Sequence, residues 1–216
     1  RHIKEITTAA RVGGGDPDGN PRLRTAILAA KAANMPADNI KRGILKGTGQ
    51  LPGVTYESIT YEGYGPNGVA VYMEVMTDNK NRTVADIRHL LTKYNGNLGA
   101  NGCVGWMFES RGVITVELSA ADENKLMELA MDAGAEDFKS EAGAYEIITQ
   151  PHDLETVKEA LDKAKIPMVS SEVTMIHKNS VKLTSESEAS SMLKLMEALE
   201  EYDDVQKVYA NFDIDE

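Results

Sequence analysis

The stretch that decides the fold is Tyr61–Gly99. It begins Tyr61-Glu62-Gly63-Tyr64-Gly65-Pro66-Asn67-Gly68 and continues into an apolar run, Val69–Met76. Glycine, proline and asparagine favour a turn, and the apolar run is typical of a strand. A polar segment, Thr77–Thr83, then leads into a helical pattern that extends to Tyr94. This order predicts a turn, a strand, a polar corner and a helix.

The polar corner between that strand and helix carries Asp78, Asn79, Asn81 and Thr83. Asp78 or Asn79 can cap the helix, whose free N–H groups and dipole favour an anion. We therefore expect an anion-binding corner suited to a phosphate group, with an ordinary helix cap and solvated charges as the alternative. A small enzyme that handles phosphate esters with Asn79 and Arg82 is a further alternative, although no candidate base accompanies the pair.

The composition is that of a globular protein, with 216 residues, 42% of them hydrophobic and 26% charged. No apolar run approaches the roughly 20 residues of a membrane span, so we expect no membrane partner. The single cysteine, Cys103, excludes an intramolecular disulfide, fits a reducing, cytoplasmic compartment and has apolar neighbours that indicate burial. Because Arg1 falls within a helical pattern, we expect a further segment before it.

The net charge of −11 is unevenly distributed. Residues 1–50 contain nine Lys or Arg and four Asp or Glu, which gives +5, whereas residues 51–110 carry −2 and residues 111–216 carry −14. A strongly anionic surface is repelled by a polyanion, so any contact with nucleic acid should lie on the N-terminal side. The alternative is that the basic helix faces are only solvated.

Helix signals dominate residues 1–50. Gly13–Pro17 ends a first helix, Asn20-Pro21 begins a second, and Pro36 begins a third that runs through Lys46. Residues 47–53 have the composition of a linker. We expect a small helical bundle with a basic outer surface.

After residue 53, strands and helices alternate. Two strands, Val54–Glu62 and Val69–Thr77, are followed by a helix to Tyr94 and a third strand, Val104–Glu109. Residues 112–170 then form a complete βαββαβ unit with a hairpin turn at Glu141–Ala144. The elements of that unit are strand 113–118, helix 122–133, strands 137–140 and 145–149, helix 154–164 and a strand from 168.

The last segment, residues 171–216, is too short to form a domain alone. It contains a strand, Ser171–His177, a loop, Lys178–Ser185, a helix, Glu186–Glu201, and a strand, Val205–Phe212. The predicted fold class is α+β: an N-terminal helical bundle plus two ferredoxin-like α+β domains, one inserted into the other. The predicted domains are 1–50, the split domain 54–111 with 171–216, and the inserted domain 112–170.

Signatures of catalysis and of metal binding are absent from the sequence. The four histidines are scattered, and no nucleophile elbow, zinc-protease helix or dinucleotide fingerprint occurs. We expect no catalytic residue, no metal and no cofactor. The βαββαβ layout is shared with RNA-recognition motifs, but their string of aromatic and basic residues is missing, which favours phosphate contacts over base stacking.

Several segments, in order along essentially the whole chain, are similar to those of the YebC family. They are Gly13-Gly14-Gly15-Asp16-Pro17, Asn20-Pro21-Arg22-Leu23-Arg24, Asn34-Met35-Pro36, Tyr61-Glu62-Gly63-Tyr64-Gly65-Pro66, Thr77-Asp78-Asn79-Lys80-Asn81-Arg82-Thr83, Gly96-Asn97-Leu98-Gly99 and Asp203-Asp204-Val205-Gln206. The resemblance implies three domains. It also implies either a DNA-binding transcriptional regulator or a ribosome-associated factor that assists translation, including at proline-rich stretches. The basic start usual in the family, of the type Met-Ala-Gly-His-Ser-Lys-Trp, has no counterpart here.

Together these observations predict a non-enzymatic, nucleic-acid-binding regulator of gene expression. The expected partner is rRNA or tRNA on the ribosome, with ribosomal proteins as further partners; the alternative is a transcriptional regulator on promoter DNA. Phosphate contacts are expected from the helical bundle and from the helix that starts near Lys80. The candidate cations are Lys4, Arg11, Arg22, Arg24, Lys31, Lys41, Arg42, Lys46, Arg82, Arg88 and Lys93.

Overall fold

The computed structural model describes residues 1–141 and 143–214. The helices are α1 (His2–Gly13), α2 (Pro21–Ala32), α3 (Ala37–Thr48), α4 (Lys80–Lys93), α5 (Glu123–Asp132), α6 (Leu154–Lys163) and α7 (Glu186–Glu201). The strands are β1 (Glu57–Tyr64), β2 (Ala70–Thr77), β3 (Asn97–Leu98), β4 (Phe108–Glu117), β5 (Asp137–Glu141), β6 (Ala144–Thr149), β7 (Ser170–His177), β8 (Val181–Leu183), β9 (Val205–Ala210) and β10 (Phe212–Ile214).

The chain separates into two compact units. Unit 1 comprises Arg1–Gly105 and Ser180–Glu216, and unit 2 comprises Trp106–Asn179. The mixture of a helical N-terminus and antiparallel sheets confirms the predicted α+β fold class. The division into three domains stays a prediction.

Helices α1, α2 and α3 form the bundle at the start of unit 1. As the sequence predicts, Asn20 caps α2: its side-chain oxygen accepts a hydrogen bond from Leu23 N at 3.1 Å, and Pro21 occupies the first helical position. Ile6, Leu23 and Ile40 meet in the core of the bundle. Since the bundle buries only a few large side chains, its stability also depends on contacts with the rest of unit 1.

The predicted linker at residues 47–53 begins too early, because α3 continues to Thr48. Gly47 is buried where α3 crosses α1, and a Cβ atom there would clash with Thr7 O and lie 2.8 Å from Ala10 Cβ. Glycine at this position therefore allows two helices to approach closely and does not form a turn.

Unit 1 also contains a four-stranded antiparallel sheet with the strand order β3-β1-β2-β9. Helices α4 and α7 cover one face, and their side chains Ile87, Leu91 and Leu195 pack with Val71 and Met73 of β2. A ferredoxin-like βαββαβ sheet has a helix between its first and second strands, whereas β1 here connects directly to β2, so this sheet differs from the ferredoxin-like topology predicted for it. The connection is a 3-10 turn, Pro66–Gly68.

A buried carboxylate stabilises the loop that follows β3. Glu62 accepts hydrogen bonds from the backbone N–H groups of Gly102, Val104 (3.2 Å) and Gly105. The third strand predicted at Val104–Glu109 is therefore wrong for its first residues: the N–H groups of Val104 and Gly105 bind Glu62, Gly105–Met107 form a 3-10 turn, and β4 begins at Phe108. The short strand Asn97–Leu98 pairs with β1 instead.

Unit 2 has the ferredoxin-like topology predicted for the inserted unit. Its antiparallel sheet has the order β5-β6-β4-β7, and α5 and α6 pack on one face around Ile114, Ile147, Leu126 and Leu161. The hairpin turn predicted between β5 and β6 includes Ala142, which lies outside the described residues.

Two strand assignments near the ends of unit 2 need correction. The strand predicted at Ser171–His177 belongs to unit 2 and not to the predicted split domain, because β7 pairs along β4 from Phe108↔His177 to Thr115↔Ser170. The predicted loop Lys178–Ser185 contains β8, which pairs in parallel with β10. Sequence pattern identifies a strand but does not identify its partner, and both errors arise from that limit.

Candidate functional site

The predicted anion corner lies where β2 ends and α4 begins. Asn79 caps α4, with its side-chain oxygen accepting from Arg82 N at 3.1 Å, and its own N–H donates to Thr77 Oγ1 at 2.9 Å. Thr83 Oγ1 lies 2.6 Å from Thr77 Oγ1, and both side chains are buried. Asp78 and Asn81 lie at the exposed edge of the corner.

A carboxylate of the protein itself lies at this corner. Asp204, which is 3% exposed, accepts a hydrogen bond from Thr83 Oγ1 at 2.7 Å and from Arg82 Nη2 at 3.0 Å. Burial alone would raise the pKa of Asp204, but the hydrogen bonds from Thr83 and Arg82 outweigh burial and lower it. The negative charge at the corner is therefore internal.

Arg82 is held on both sides by carboxylates. Its Nη2 atom lies 3.0 Å from Asp204 Oδ2 and 2.9 Å from Asp78 Oδ1. These hydrogen bonds raise the pKa of the Arg82 guanidinium above its usual value, with the bond to Asp204 contributing most. With two carboxylates on one cation, the corner has no net positive charge to offer to a phosphate.

Asp86 and Tyr202 extend this network. The Tyr202 hydroxyl donates to Asp86 Oδ2 at 2.6 Å and lies 3.3 Å from Asp204 Oδ2. Burial and the bond to Asp86 raise the pKa of Tyr202. Arg82, Asp86, His89 and Lys93 are spaced along one face of α4, and the first two of them are bonded inside unit 1.

A cavity of about 450 Å³ lies beside this network, between the bundle and the sheet of unit 1. Its walls include Arg42, Lys46 and Tyr56 as well as Asp78, Asp203 and Asp204. Both cations and carboxylates line it, and Asp78, Asp86 and Asp204 each accept a hydrogen bond within the chain. Such an arrangement suits structural ion pairing better than proton transfer.

Several of the predicted phosphate-binding cations are engaged inside unit 1. Lys4 Nζ donates to the backbone carbonyls of Glu200 and Tyr202, the latter at 2.8 Å, and so caps the C-terminal end of α7. Burial lowers the pKa of Lys4, although nearby carboxylates oppose this. Arg22 pairs with Glu5 at 2.7 Å.

Arg11 is also turned inward. Its Nε and Nη2 atoms are buried, and neither has a hydrogen-bond partner among the described residues. Burial lowers the pKa of this guanidinium. Lys4, Arg11, Arg22 and Arg82 therefore contribute less to an outer basic surface than the sequence suggests.

Besides Arg22, which pairs with Glu5, four predicted cations of the bundle are exposed, and they lie on α2 and α3. They are Arg24, Lys31, Lys41 and Arg42. Arg24 donates to Pro17 O at 2.9 Å, a neutral acceptor that leaves its charge uncompensated. Leu28, between Arg24 and Lys31 on the same face of α2, is 63% exposed.

Of the three other predicted cations, one is half-buried and two are exposed. Lys46 is half-buried, with Nζ 5.8 Å from the centre of the Tyr56 ring, and Lys93 Nζ lies 5.4 Å from the centre of the Tyr94 ring. Arg88 and Lys93 are exposed on α4. Phosphate binding by any of the predicted residues stays a prediction.

Two buried carboxylates of unit 1, Asp204 and Glu62, are not among the candidate site residues predicted from the sequence. A local signal for Asp204 is lacking because its partner Arg82 is 122 residues away. Cys103, predicted to be buried, is half-buried.

Other kinds of site are not seen in the described part of the chain. Across residues 1–141 and 143–214, no three His, Cys, Asp or Glu side chains are grouped so that they could hold a metal ion. Over the same residues, no helix has the length and apolar character needed to cross a bilayer.

Comparison with known proteins identifies the family. Residues 1–50 match the TACO1/YebC protein N-terminal domain, and residues 56–212 match the TACO1/YebC second and third domain. The chain therefore belongs to the TACO1/YebC family, which confirms the predicted resemblance.

Similar proteins come from several bacteria. A relative from Desulfosudis oleivorans is 58% identical over 209 residues, which is 97% of this chain and 85% of the relative. One from Geobacter sulfurreducens is 58% identical over 212 residues, 98% of this chain and 85% of the relative. Both are named probable transcriptional regulatory proteins.

A similar solved structure is the crystal structure of a conserved hypothetical protein from Aquifex aeolicus. It has a TM-score of 0.69 and is 47% identical, and the match covers 100% of this chain and 88% of that one. The fold is therefore similar to that of a solved structure over the whole length of this chain.

Proposed function

We propose that this protein is a non-enzymatic, cytoplasmic regulator of gene expression that binds nucleic acid through the exposed cations of its helical bundle, with RNA on the ribosome as its target. The observation that carries the proposal is the position of Arg24, Lys31, Lys41 and Arg42, which are exposed on α2 and α3. Lysine and arginine side chains that face solvent attract phosphates without reading bases.

The charge distribution supports the same surface. The +5 of residues 1–50 contrasts with the −14 of residues 111–216, so a polyanion is attracted to one part of the chain and repelled by another. The internal ion pairs of Arg22 and Arg82 leave α2 and α3 as the main sources of uncompensated positive charge. The acidic remainder is suited to contacts with basic proteins, such as those of the ribosome.

A salt series tests this proposal. If about four phosphates are contacted, affinity for RNA should fall roughly tenfold for each doubling of salt concentration. The triple variant Lys31→Gln, Lys41→Gln, Arg42→Gln should bind more weakly and show a shallower slope. A matched variant removes three exposed cations from unit 2, Lys125→Gln, Lys139→Gln and Lys163→Gln, and should bind like the wild type.

Co-sedimentation with ribosomes at low and high salt extends the test to the proposed target. Salt-sensitive co-sedimentation that is lost only in the first triple variant supports the proposal. A flat salt response, or equal loss in both triple variants, contradicts it.

A second candidate function is regulation of transcription on promoter DNA, and the names of the bacterial relatives favour it. It predicts preference for particular duplex sequences over others at the same salt concentration, because base contacts add to phosphate contacts. Binding that is equal for all duplexes and weaker than binding to ribosomal RNA would argue for the ribosomal target.

A phosphate-handling enzyme at the corner formed by Asp78, Asn79, Asn81 and Thr83 has less support. Arg82 is already paired with Asp78 and Asp204, so an incoming phosphate ester would compete with two carboxylates. Turnover of phosphate esters that disappears in Arg82→Ala would establish this alternative.

A further inference from the structure

The cavity of about 450 Å³ beside Asp204 is divided by charge. Arg42 and Lys46 of α3 line it on the bundle side. Its carboxylates belong to the sheet side of unit 1: Asp78, Asp86, Asp203 and Asp204. With Arg82, the wall carries three positive and four negative charges, so its net charge is −1. A ligand with an anionic end and a hydrogen-bond-donating end would match both sides, whereas a simple anion would match only one.

An aromatic ring lies between the two sides. Tyr56, just before β1, is half-buried and lines the cavity, and Lys46 Nζ lies 5.8 Å from the centre of its ring. Burial raises the pKa of the Tyr56 hydroxyl, Asp78 raises it further and Arg42 opposes the change. The ring is therefore within electrostatic reach of the basic side and of the acidic side. Aromatic side chains in such grooves are platforms on which the bases of a single strand stack.

Asp78 is a carboxylate that a ligand in the cavity can reach. Its side chain is 35% exposed, whereas that of Asp204 is 4% exposed. Its Oδ1 atom accepts a hydrogen bond from Arg82 at 2.9 Å. Because a carboxylate can accept about four hydrogen bonds, Asp78 can keep this bond and accept two more from a ligand.

The shape of a carboxylate selects among the four bases. Guanine presents N1–H and N2–H side by side, and these two donors match the two carboxylate oxygens. Adenine and cytosine place a ring-nitrogen acceptor beside their amino group, and uracil flanks its one N–H with two carbonyl oxygens. A carboxylate attracts donors and repels acceptors, so an acidic wall favours guanine.

The cavity adjoins the surface proposed to bind RNA. Arg42, one of the exposed cations of α3, lines this cavity and also a neighbouring cavity of about 550 Å³ that Lys41 lines. A strand whose phosphates lie along α3 would therefore pass beside the first cavity. The volume of about 450 Å³ is in the range of small-molecule sites.

We propose that this cavity binds one unstacked guanine nucleotide of the RNA: the base stacks on Tyr56, its N1–H and N2–H groups donate to Asp78, and its phosphate lies on Arg42. The inference rests on the proposed function and adds a base preference, which phosphate contacts alone do not provide. Because the bundle and the sheet of unit 1 supply opposite sides of the cavity, the nucleotide would also strengthen the contact between them.

Labelled RNA octamers test the preference by fluorescence anisotropy with the 216-residue chain at one salt concentration. The set is octauridine and three octamers in which the fifth uridine is replaced by guanosine, inosine or adenosine. The guanosine octamer should bind about tenfold more tightly than octauridine, since a bidentate base contact has about that effect. Inosine lacks the N2 amino group and should lose most of this gain, and adenosine should show none. Equal affinity for the four octamers would overturn the inference.

Variants connect the preference to the cavity. Asp78→Asn should abolish the preference for guanosine, and Asp162→Asn, at an exposed position in unit 2, should retain it. Tyr56→Ala should weaken binding of the guanosine octamer about tenfold, and Tyr56→Phe, which keeps the ring, should restore it. A preference retained in Asp78→Asn would overturn the assignment. A guanosine octamer bound no more tightly by Tyr56→Phe than by Tyr56→Ala would overturn stacking.

Mononucleotides separate failure of this inference from failure of the proposed function. In an NMR titration, guanosine 5′-monophosphate should shift the amides of Tyr56 and Asp78 saturably, and adenosine 5′-monophosphate should bind at least tenfold more weakly. Binding of the guanine nucleotide without binding of any octamer would support the cavity and contradict the RNA target. Salt-sensitive binding of all octamers without preference would support the RNA target and overturn the cavity. No binding of any probe would overturn both.

Discussion

Arg82 Nη2 lies 3.0 Å from Asp204 Oδ2 and connects the first turn of α4 to the residue before β9, across 122 positions of sequence. The Asp204 side chain is 4% exposed and the Arg82 side chain is 47% exposed. The pair is thus buried on the acid side and open on the basic side. This ion pair joins two distant parts of the sheet domain of unit 1. It also neutralises the positive charge of Arg82, which the corner was expected to offer to an anion.

Asp204→Asn should destabilise unit 1. The substitution removes the charge that Arg82 and Thr83 stabilise, and we expect a loss of about 2 kcal/mol in the free energy of unfolding, less than for a fully buried pair because Arg82 is partly screened by solvent. Chemical denaturation measures this loss. Asp203→Asn, which changes the exposed neighbouring residue, should have little effect. Equal effects of the two substitutions would contradict the structural role of Asp204.

Acid titration examines the same carboxylate. Because the folded pKa of Asp204 is lowered, its contribution to stability is fully present above the unfolded value of about 3.9 and is lost as the pH falls through the folded pKa. Melting temperatures measured from pH 7 to pH 2 should fall at the acid end for the wild type. In Asp204→Asn the melting temperature should fall less at the acid end. An equal fall in the variant and the wild type would show that Asp204 does not contribute to the acid sensitivity.

Lys4→Met should weaken the attachment of the bundle to α7. The substitution keeps the length of the side chain but removes the donor to Glu200 O and Tyr202 O, so we expect a loss of about 1–2 kcal/mol in the free energy of unfolding. Lys194→Met, at an exposed position of α7, is the matched control. Hydrogen exchange at the last turn of α7 should accelerate in Lys4→Met alone.

Gly47→Ala should separate α1 from α3. Alanine favours a helix over glycine by about 1 kcal/mol, but the added methyl group would meet the backbone oxygen of Thr7, so we expect a net loss of about 1–2 kcal/mol. Gly19→Ala, where the nearest atom to the new Cβ is Asp16 O at 4.0 Å, serves as the control. Thermal melts of the two variants give the comparison, and a Gly47→Ala protein more stable than the wild type would refute the close approach.

Glu62→Gln should loosen the loop that contains Gly102, Val104 and Gly105. A glutamine side chain has one oxygen acceptor for N–H groups that now share two, so we expect a loss of about 2 kcal/mol. Hydrogen exchange at the Val104 amide measures the local effect. Glu57→Gln, an exposed residue on the same strand, should leave that amide protected.

Local chemistry in the sequence was a reliable guide to individual elements. The Asn20-Pro21 start of α2, the Asn79 cap of α4 and the βαββαβ order of unit 2 all depend on neighbouring residues, and the structure shows each of them. Caps and turns are recognisable because the interacting groups lie within a few positions of each other.

Features that depend on distant partners could not be predicted in this way. The pairing of β7 with β4, the burial of Gly47 against α1 and the bond between Arg82 and Asp204 are all settled by tertiary contacts. The same limit explains the candidate site: the sequence identified the cations of residues 1–50, but not which of them the fold would neutralise. Exposure, rather than residue type, separates Lys31 and Lys41 from Lys4 and Arg11.

The strand order of unit 1 has a consequence for biosynthesis. Its sheet is completed by β9, and its core includes Met192, Leu195 and Leu199 of α7. The β1–β2 hairpin is therefore synthesised well before the helix and the strand that it packs and pairs with. Unit 2 is one continuous segment, so all of its strands are synthesised before α7 and β9 of unit 1. During vectorial synthesis the middle of the polypeptide therefore matures first, and the nascent β1–β2 hairpin must be kept from wrong pairings until the C-terminal helix and strand emerge.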